Sequence, residues 1–544
     1  MNFSKKLKKV PTHIWILTVI ILVGIFLRTY NFHSWLKFRD DQARDATLVS
    51  QVVQGEKPWP MMGAYMSYSG DGDHLETNSF HLGPIYYYFQ IISSKVFGNY
   101  ADKLAYPDVL FGVLAIPLLY LFLRIYFRRE TSLGVAGLFA ISSYFVQYSR
   151  FAWNTNLIPF FVLLFLFSLH KLLEKNEQAK WRWASLLGIS VGVGVQLHVI
   201  IMVLFLVVAF FVMLFSLKKS FKAWPQWMLV FLLVCVLNTT QIISELKSNF
   251  SNTKILLSSS SRDNGPGISK FTLIKNDLDC HVEANAYYLS SYGSSNCIYD
   301  FLNPVAYAEV RTKNSSKFFQ DVFSRLVMLL AVVFSFFGYF LLFKKAKNEK
   351  GKSQQYFLRL IVFYCAINFL LMISLSMDKF NDLRYLTPVF FVPFVLLALL
   401  VEFIQEKFSK QQMRGLLTLL VLLLIFTNGV AIADQALPLV AKDRTCSSHS
   451  TTIGELEPVA QYLMANSGGR QPIYFGGDKT FRVVYMPLAY VLKKHGVTSE
   501  EIPAEPQLSE NKEGPTYMVS CKAGAQNYYP YAEVNSIFVY KLNK

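Results

Sequence analysis

The chain has 544 residues, of which 53% are hydrophobic and 16% aromatic, with a mean hydropathy of +0.32 and a formal net charge of +17. A composition this apolar excludes an ordinary soluble protein of this length. The positive charge would suit nucleic-acid binding, but one basic cluster precedes the first apolar run and most other basic clusters lie in short loops between apolar runs. That is the positive-inside pattern of a multi-pass membrane protein, and it argues against nucleic acid as a partner.

Apolar runs long enough to cross a bilayer recur along the chain. We predict a polytopic α-helical membrane protein with about eleven transmembrane helices. They lie near residues 13–30, 103–124, 132–149, 157–173, 183–197, 199–217, 226–245, 322–343, 356–377, 385–403 and 415–433. With the N-terminus in the cytoplasm, every inside loop is basic. The first run has no small-residue cleavage site, so it is interpreted as an uncleaved anchor, and the predicted location is the plasma membrane.

Three large pieces then fall outside the cytoplasm: residues 31–102, residues 246–321 and the tail. We therefore divide the chain into a transmembrane part, residues 1–434, and a small extracytoplasmic α/β domain, residues 435–544. The tail has helical patterns at residues 455–466 and 485–495, and strand patterns at residues 472–475, 516–520 and 536–542.

The cysteines give an independent indication of sidedness. Two lie within predicted spans and four lie in the predicted outside pieces, namely Cys280, Cys297, Cys446 and Cys521. Four cysteines on the oxidising side predict two structural disulfides. The simplest of the three connectivities pairs Cys280 with Cys297 and Cys446 with Cys521, and reduced thiols are the alternative. The spacing does not fit a zinc site.

The first outside piece begins with a charged stretch, residues 38–56, with the sequence FRDDQARDATLVSQVVQGE. Asp41 and Asp45 are one helical turn apart, so a helix would carry both carboxylates on one face. The apolar residues that follow predict a short helix lying along the bilayer surface. A carboxylate held there can accept a proton from an incoming hydroxyl or amine. The plainer interpretation is that Asp40 or Asp41 caps a surface helix.

Three further short motifs accompany this stretch: HLGPIYYY at residues 81–88, YSRFAWN at residues 148–154 and RYLTP at residues 384–388. In this order, and on the predicted outer side, the set resembles the type C membrane glycosyltransferases. The resemblance is greatest to the protein O-mannosyltransferase and aminoarabinose-transferase branch, and it covers roughly residues 10–430. It implies an inverting enzyme that transfers a sugar from a polyprenyl-phosphate carrier to an acceptor at the outer face.

The resemblance also implies roles for individual residues. Asp41 matches the family's catalytic aspartate, and Gln42 stands where glutamate is usual, so Asp40 is assigned part of the second acidic role. The remaining candidates are substrate-binding residues: Arg44, Asp45, His81, Tyr86, Arg150, Asn154, Arg384 and Tyr385. His81 is displaced from the family's spacing to the proline of its motif.

The departing phosphate needs positive charge, and a guanidinium matches phosphate oxygens bidentately. Arg150 and Arg384 lie outside, against the positive-inside bias, and are the candidate phosphate ligands. The structural alternative for each is interfacial snorkelling or pairing with Asp378 or Asp382. Asn154 could hydrogen-bond the sugar.

Two other classes of protein share the span count, and the sequence leaves both as alternatives. A lipid or sugar transporter would carry polar residues at mid-membrane, often in two matching halves. A receptor or scaffold would use the tail for binding. No cofactor is predicted, and metal dependence stays open, since the Asp71, Asp73, His74 and Glu76 group is more typical of an exposed turn than of a metal site. The expected acceptor is a protein, a lipid or a glycan.

Overall fold

The structure is a computed structural model. It describes residues 11–66, 79–174, 177–216, 221–260, 269–292, 297, 318–374, 383–436, 451–478, 481, 484–503, 514–521, 531–535 and 537–542. Most of these residues are helical, and the longer helices are apolar.

The helices before the long middle segment are α1 Thr12–Thr29, α2 Asp40–Val53, α3 Ile85–Phe97, α4 Ala101–Leu104, α5 Tyr106–Leu123, α6 Arg129–Ile141, α7 Ser143–Gln147, α8 Ile158–Leu173, α9 Lys180–Gly194, α10 Val199–Phe215, α11 Trp224–Leu237, α12 Thr239–Lys247 and α13 Ser251–Ser260. Those that follow are α14 Lys270–Ser290, α15 Phe318–Asn348, α16 Lys352–Ser374, α17 Val392–Lys407, α18 Lys410–Ala436, α19 Ile453–Asn466 and α20 Tyr485–Lys494. Short 3₁₀ helices, Asn154–Leu157 and Leu383–Val389, precede α8 and α17.

Six helical segments in the described part of the chain are long and apolar enough to cross a membrane, and two bent pairs raise this number to eight. The bent pairs, α11 with α12 and the second 3₁₀ helix with α17, occupy the predicted spans at 226–245 and 385–403. The predicted spans at 132–149, 183–197 and 199–217 coincide with the shorter helices α6, α9 and α10. The protein is thus a multi-pass membrane protein, while the count of eleven spans stays a prediction.

Close helix packing in the bundle depends on small residues. Gly188 and Gly192 of α9 face α11, and a Cβ added at either would come within 2.9 Å of Leu233 or 2.8 Å of Leu237. Glycines one turn apart let the backbones of two membrane helices approach closely. Such packing is important because the hydrophobic effect does not drive helices together within lipid.

Helix α14 lies within the predicted outside piece 246–321, but it was not predicted. Ten of its 21 residues are buried, including Asp277, Asp279 and Glu283. It packs against α15, α16 and α17, and the Tyr288 hydroxyl donates to the Leu383 carbonyl at 2.7 Å. Its low apolar content hid it from the search for spans. Two of its buried carboxylates are paired within the helix, Asp277 with His281 and Asp279 with Lys275.

The disulfide between Cys280 and Cys297 is confirmed. Cys521 is also disulfide-bonded, and its predicted partner Cys446 lies outside the described residues. Cys235 and Cys365 are free, as expected for cysteines within spans.

The described part of the tail contains a five-stranded sheet. Its strands are β3 Ile473–Gly477, β4 Ser499–Glu501, β5 Thr516–Ser520, β6 Tyr531–Val534 and β7 Ile537–Lys541, in the order β4-β3-β5-β7-β6. Strand β3 is parallel to both neighbours, and the remaining pairs are antiparallel. A separate two-stranded ribbon, β1 Tyr65–Met66 with β2 Phe80–His81, follows α2.

The tail packs directly on the first outside piece. Backbone hydrogen bonds join Phe38 to Thr451 and Ile453 to Leu36, and the Phe38 and Tyr490 rings lie 5.1 Å apart. The apolar side of α2 is buried in the same hydrophobic core as α20. The prediction that this side lies along the bilayer was therefore wrong: protein covers it, because a partner helix from the tail lies against it.

His33 links the two parts through carboxylates. Its ring nitrogens lie 3.4 Å from Asp102 and 3.1 Å from Glu457, and Glu457 also accepts from the Tyr100 hydroxyl at 2.6 Å. The hydrogen bond that the His33 ring donates to Asp102, together with Glu457, raises the pKa of His33 above its ordinary value despite partial burial.

We expect this contact to make stability depend on pH. Because the folded pKa of His33 is raised, the stabilisation is fully present below its unfolded pKa of about 6.5 and is lost as pH rises through the folded value. The effect is modest, since the side chain is 42% exposed. Thermal melting at stepwise pH should show the melting temperature falling above neutrality, and His33→Asn should flatten that slope. An unchanged slope in His33→Asn would contradict the assignment.

Candidate active site

Helix α2 presents the acidic cluster. Its N-cap is Arg39, whose backbone N–H donates to the Gln42 side-chain oxygen at 3.3 Å. Asp40 and Asp41 lie in the first turn, where the helix dipole favours negative charge. Neither aspartate is the cap, and Gln42 is buried and engaged in capping. A part for Gln42 in the chemistry gains no support from this geometry.

Arg44 holds two carboxylates at once. One guanidinium nitrogen lies 3.0 Å from an Asp41 oxygen and another lies 2.9 Å from Asp45, while the guanidinium packs over the Tyr65 ring at 4.8 Å. The pKa of Arg44 is raised, because the two carboxylates and Tyr87 outweigh its burial. Arg44 is therefore a fixed positive charge beside the acidic pair.

Asp41 and Asp45 have different environments. The Asp45 side chain is 8% exposed and accepts from the Tyr87 hydroxyl at 2.8 Å, whereas the Asp41 side chain is 54% exposed. Burial raises the pKa of Asp45, against the opposing effects of Arg44 and the Tyr87 hydroxyl. The Asp45 carboxylate is thus buried and occupied by protein partners. Asp41 is the carboxylate of the two that a substrate can reach.

A further acidic residue, which the sequence analysis missed, connects the motifs at residues 81–88 and 148–154. Asp108 in α5 is fully buried and accepts three hydrogen bonds, from the Tyr86 hydroxyl at 3.0 Å, the Trp153 backbone N–H at 3.1 Å and the Asn156 amide at 3.0 Å. Tyr86 is therefore a donor to Asp108. The sequence did contain a signal for Asp108, namely a carboxylate at the end of an apolar span. Ionisable groups in such positions usually have a functional or structural role.

Arg384 lies in an aromatic setting. Its guanidinium carbon is 5.4 Å from the centre of the Trp153 ring and 4.9 Å from that of Tyr385, and it donates to the Tyr385 hydroxyl at 3.1 Å. Planar rings hold a guanidinium through cation–π attraction while leaving its edge directed elsewhere. Asn154, beside Trp153, donates its amide to the Leu197 carbonyl.

His198 borders the same group. It caps α10, as its ring accepts from the Ile200 N–H, and it meets the Tyr385 ring edge-on at 6.0 Å. Burial, together with the charge of Arg384, lowers the pKa of His198 to about 4. A neutral His198 leaves the positive charge of this group on Arg384.

The structure does not support Arg150 as a phosphate ligand. Its guanidinium donates to the Leu27 carbonyl at 2.9 Å and the Tyr30 carbonyl at 2.8 Å, and the residue is 6% exposed. It packs over the Phe32 and Trp35 rings, and burial lowers its pKa to about 10. Arg150 instead satisfies the last carbonyls of α1, which explains a buried cation at this end of the first span.

His81, on the two-stranded ribbon, borders the Arg44 group through Tyr65, whose ring it meets edge-on at 6.0 Å. Its ring nitrogen is 3.2 Å from the Gly63 carbonyl, and its backbone exchanges two hydrogen bonds with Asn252. It borders a large cavity that Arg44 also lines.

The described contacts connect several of the predicted residues as one chain. From α2 it runs through Arg44, Asp45 and Tyr87, continues from the adjacent Tyr86 through Asp108 to Trp153, and ends at Arg384 and Tyr385. Among the residues that the structure describes, no group of three or more His, Cys, Asp or Glu could hold a metal ion. The acidic group at residues 71–76 lies outside the described residues.

Comparison with known proteins gives the class. Residues 81–240 match the model of the dolichyl-phosphate-mannose-protein mannosyltransferase family. This segment contains the motifs at 81–88 and 148–154, together with Asp108. No curated protein matches the chain in sequence.

The solved structures that are similar to this chain are distant from it in sequence. The oligosaccharyltransferase of Archaeoglobus fulgidus, tethered with an acceptor peptide, matches at 14% identity and a TM-score of 0.51, covering 94% of this chain and 69% of that one. Its complex with zinc and sulfate gives 14% identity and 0.51, covering 93% and 67%. ArnT from Cupriavidus metallidurans bound to undecaprenyl phosphate matches at 12% and 0.45, covering 98% and 97%.

The match over residues 81–240 indicates a membrane-embedded glycosyltransferase, and the fold of the chain is similar to that of the archaeal oligosaccharyltransferase. Residues 81–240, less than a third of the chain, are the part that is similar to the dolichyl-phosphate-mannose-protein mannosyltransferase family.

Proposed function

We propose that the protein transfers a sugar from a polyprenyl-phosphate carrier to an acceptor at the outer face of the membrane, with inversion at the anomeric carbon. The observation that carries the proposal is the different exposure of two carboxylates on α2. Asp45 is buried, and Asp41 is exposed beside the fixed charge of Arg44. The family match supports a lipid-phosphate donor and favours the enzyme over the transporter and receptor alternatives.

In this mechanism Asp41 is the general base. It takes the proton from the acceptor hydroxyl or amine as that oxygen or nitrogen attacks the anomeric carbon. The bond from the anomeric carbon to the phosphate oxygen breaks on the opposite face, and polyprenyl phosphate leaves with the electron pair. A single displacement of this kind inverts the configuration. Asp40, in the same first turn, is close enough in sequence to assist.

Arg384 is the proposed ligand of the departing phosphate. Stacking between Trp153 and Tyr385 supports this role, because it restrains the guanidinium before the donor arrives. With Arg150 occupied by carbonyls, the positive charge for the phosphate falls to Arg384. Asn154 and Tyr385 are the proposed neighbours of the sugar.

We expect Arg384→Ala to weaken binding of polyprenyl phosphate about 10–100-fold, since a hydrogen bond to a charged group contributes about 1.5–3 kcal/mol. Arg384→Lys should restore binding only in part, because lysine lacks the planar fork. Titration of the purified protein in nanodiscs measures the affinity. Arg470→Ala, which removes an exposed arginine from the tail, is the matched control. Equal affinities for Arg384→Ala and the control would remove Arg384 from the site.

The proposal includes an arrangement of the chain in the membrane. Residues 1–434 form the transmembrane transferase part with about eleven spans, and residues 435–544 form an extracytoplasmic domain, with the N-terminus in the cytoplasm of a plasma-membrane protein. The contacts between the tail and the first outside piece support placing these two on one side.

Single cysteines introduced at Lys347 and Lys512 test this arrangement. We expect a membrane-impermeant maleimide applied to intact cells to label the cysteine at 512 and to spare the one at 347, because basic loops face the cytoplasm. The parent protein measures background from the native free cysteines, and permeabilised cells show that both positions can react. Equal labelling of the two positions in intact cells would contradict the topology.

A further inference from the structure

A cavity of about 830 Å³ lies between the first outside piece and the tail. Its walls come from α2, the two-stranded ribbon and α20. This volume is in the range of about 300–1,000 Å³ that is usual for small-molecule sites. Arg44 stands on its wall and at the same time holds Asp41, so the cavity opens beside the proposed base.

The described lining is cationic. Arg44, Lys57 and Lys493 contribute to it, and among the described lining residues none is a carboxylate. Part of the charge of Arg44 is offset by Asp41 and Asp45 behind it. Lys57 and Lys493 are exposed and lie on opposite walls, one before the ribbon and one on α20. A cleft lined by one sign of charge concentrates ligands of the other sign.

The lining is also rich in tyrosine, including Tyr65, Tyr87 and Tyr485. Tyrosine combines a flat apolar face with a polar hydroxyl, which suits the alternating C–H and hydroxyl groups of a sugar ring. Strand β4 is the edge of its sheet and borders the cavity through Ser499, an arrangement that can bind extended peptides. Here the Ser499 carbonyl already accepts from the Tyr485 hydroxyl at 3.2 Å, which argues against peptide pairing at that point.

We propose that this cavity binds the acceptor, and that the acceptor is a saccharide carrying acidic groups. The inference rests on the proposed transfer function, and it assigns the tail a role: α20 supplies one wall of the acceptor site. The acidic groups are held by Lys57 and Lys493, and the nucleophilic hydroxyl is directed along the Arg44 wall towards Asp41.

Binding of two trisaccharides of equal length tests the inference. The full chain in nanodiscs is titrated, without donor, with trigalacturonate and with neutral maltotriose. We expect trigalacturonate to bind at least about tenfold more tightly at low salt, with the preference shrinking as salt is added, because exposed charges are screened. Lys493→Glu should weaken trigalacturonate binding about fivefold, the size expected for reversing one exposed charge.

Lys541→Glu is the control, because it makes the same charge change at an exposed position on β7 that does not line the cavity. Both lysines are exposed, so both variants should fold. Equal affinity for the two trisaccharides, equal effects of the two variants, or tighter binding of hexaglutamate than of trigalacturonate would overturn the inference.

The outcome is separable from that of the proposed function, since binding is measured without transfer. Asp41→Asn should bind trigalacturonate at least as tightly as the unmodified protein, because the change frees part of the charge of Arg44. An active Asp41→Asn would overturn the proposed base and leave the acceptor site standing. Loss of the preference for trigalacturonate would overturn the acceptor site and leave the proposed base standing.

Discussion

Asp41→Asn should lose most of the transfer rate while the protein folds and binds donor normally. The amide has nearly the volume of the carboxylate but cannot accept the acceptor's proton. General-base assistance is typically worth about 10²–10⁴-fold in rate. The side chain is 54% exposed and its described polar contact is with Arg44, so the change should cost little stability. Turnover of a radiolabelled polyprenyl-phosphate sugar by the purified variant measures the effect.

Asp40→Asn is the matched control for this experiment, being one residue away in the same helical turn. Asp40→Asn should lower the transfer rate less than Asp41→Asn does. Asp45→Asn is a poorer control, since it disturbs the buried contacts with Arg44 and Tyr87. Near-normal turnover by Asp41→Asn would refute the assignment, and an inactive Asp40→Asn in its place would show that the catalytic position is one residue earlier.

Asp108→Ala should have the second large effect, on both stability and donor binding. It leaves three buried donors, from Tyr86, Trp153 and Asn156, without their acceptor. Each buried group left unsatisfied costs about 1–3 kcal/mol. Trp153 would also lose the contact that fixes it under Arg384, so affinity for polyprenyl phosphate should fall. Thermal melting and the phosphate titration measure the two effects.

Asp108→Asn separates geometry from charge. Its oxygen can face the Trp153 and Asn156 donors, while its amide donates to the Tyr86 hydroxyl, which can turn to accept. We therefore expect Asn to restore most of the stability that Ala loses. Asp108→Ala with unchanged melting and donor affinity would show that the three contacts do not position the site.

Several features of the fold were predictable because they depend on local pattern. The first and last predicted spans, 13–30 and 415–433, correspond to α1 and α18, since long apolar runs have few alternatives to a membrane helix. The tail patterns at residues 455–466 and 485–495 correspond to α19 and α20. The disulfide Cys280–Cys297 followed from the side on which both cysteines were placed.

The candidate site was predictable in its parts and less so in its connections. The sequence analysis identified Asp41, Arg44 and Arg384 from short motifs, and the structure places the two arginines at the ends of one chain of contacts. It missed Asp108, whose importance depends on donors 22 to 48 residues away. It also could not show that the Arg150 guanidinium binds backbone carbonyls, because these belong to a segment about 120 residues earlier.

The sequence alone therefore determined the membrane class, the positions of most spans and the acidic stretch at residues 38–56, because apolar length and residue spacing are local properties. Only the tertiary structure decided which carboxylate is buried. Asp41 and Asp45 are equivalent by spacing, but α3 and α20 pack against one side of α2 and enclose Asp45 while leaving Asp41 exposed. Burial and hydrogen-bond partners depend on which distant segments meet, and a pattern along the chain does not contain that information.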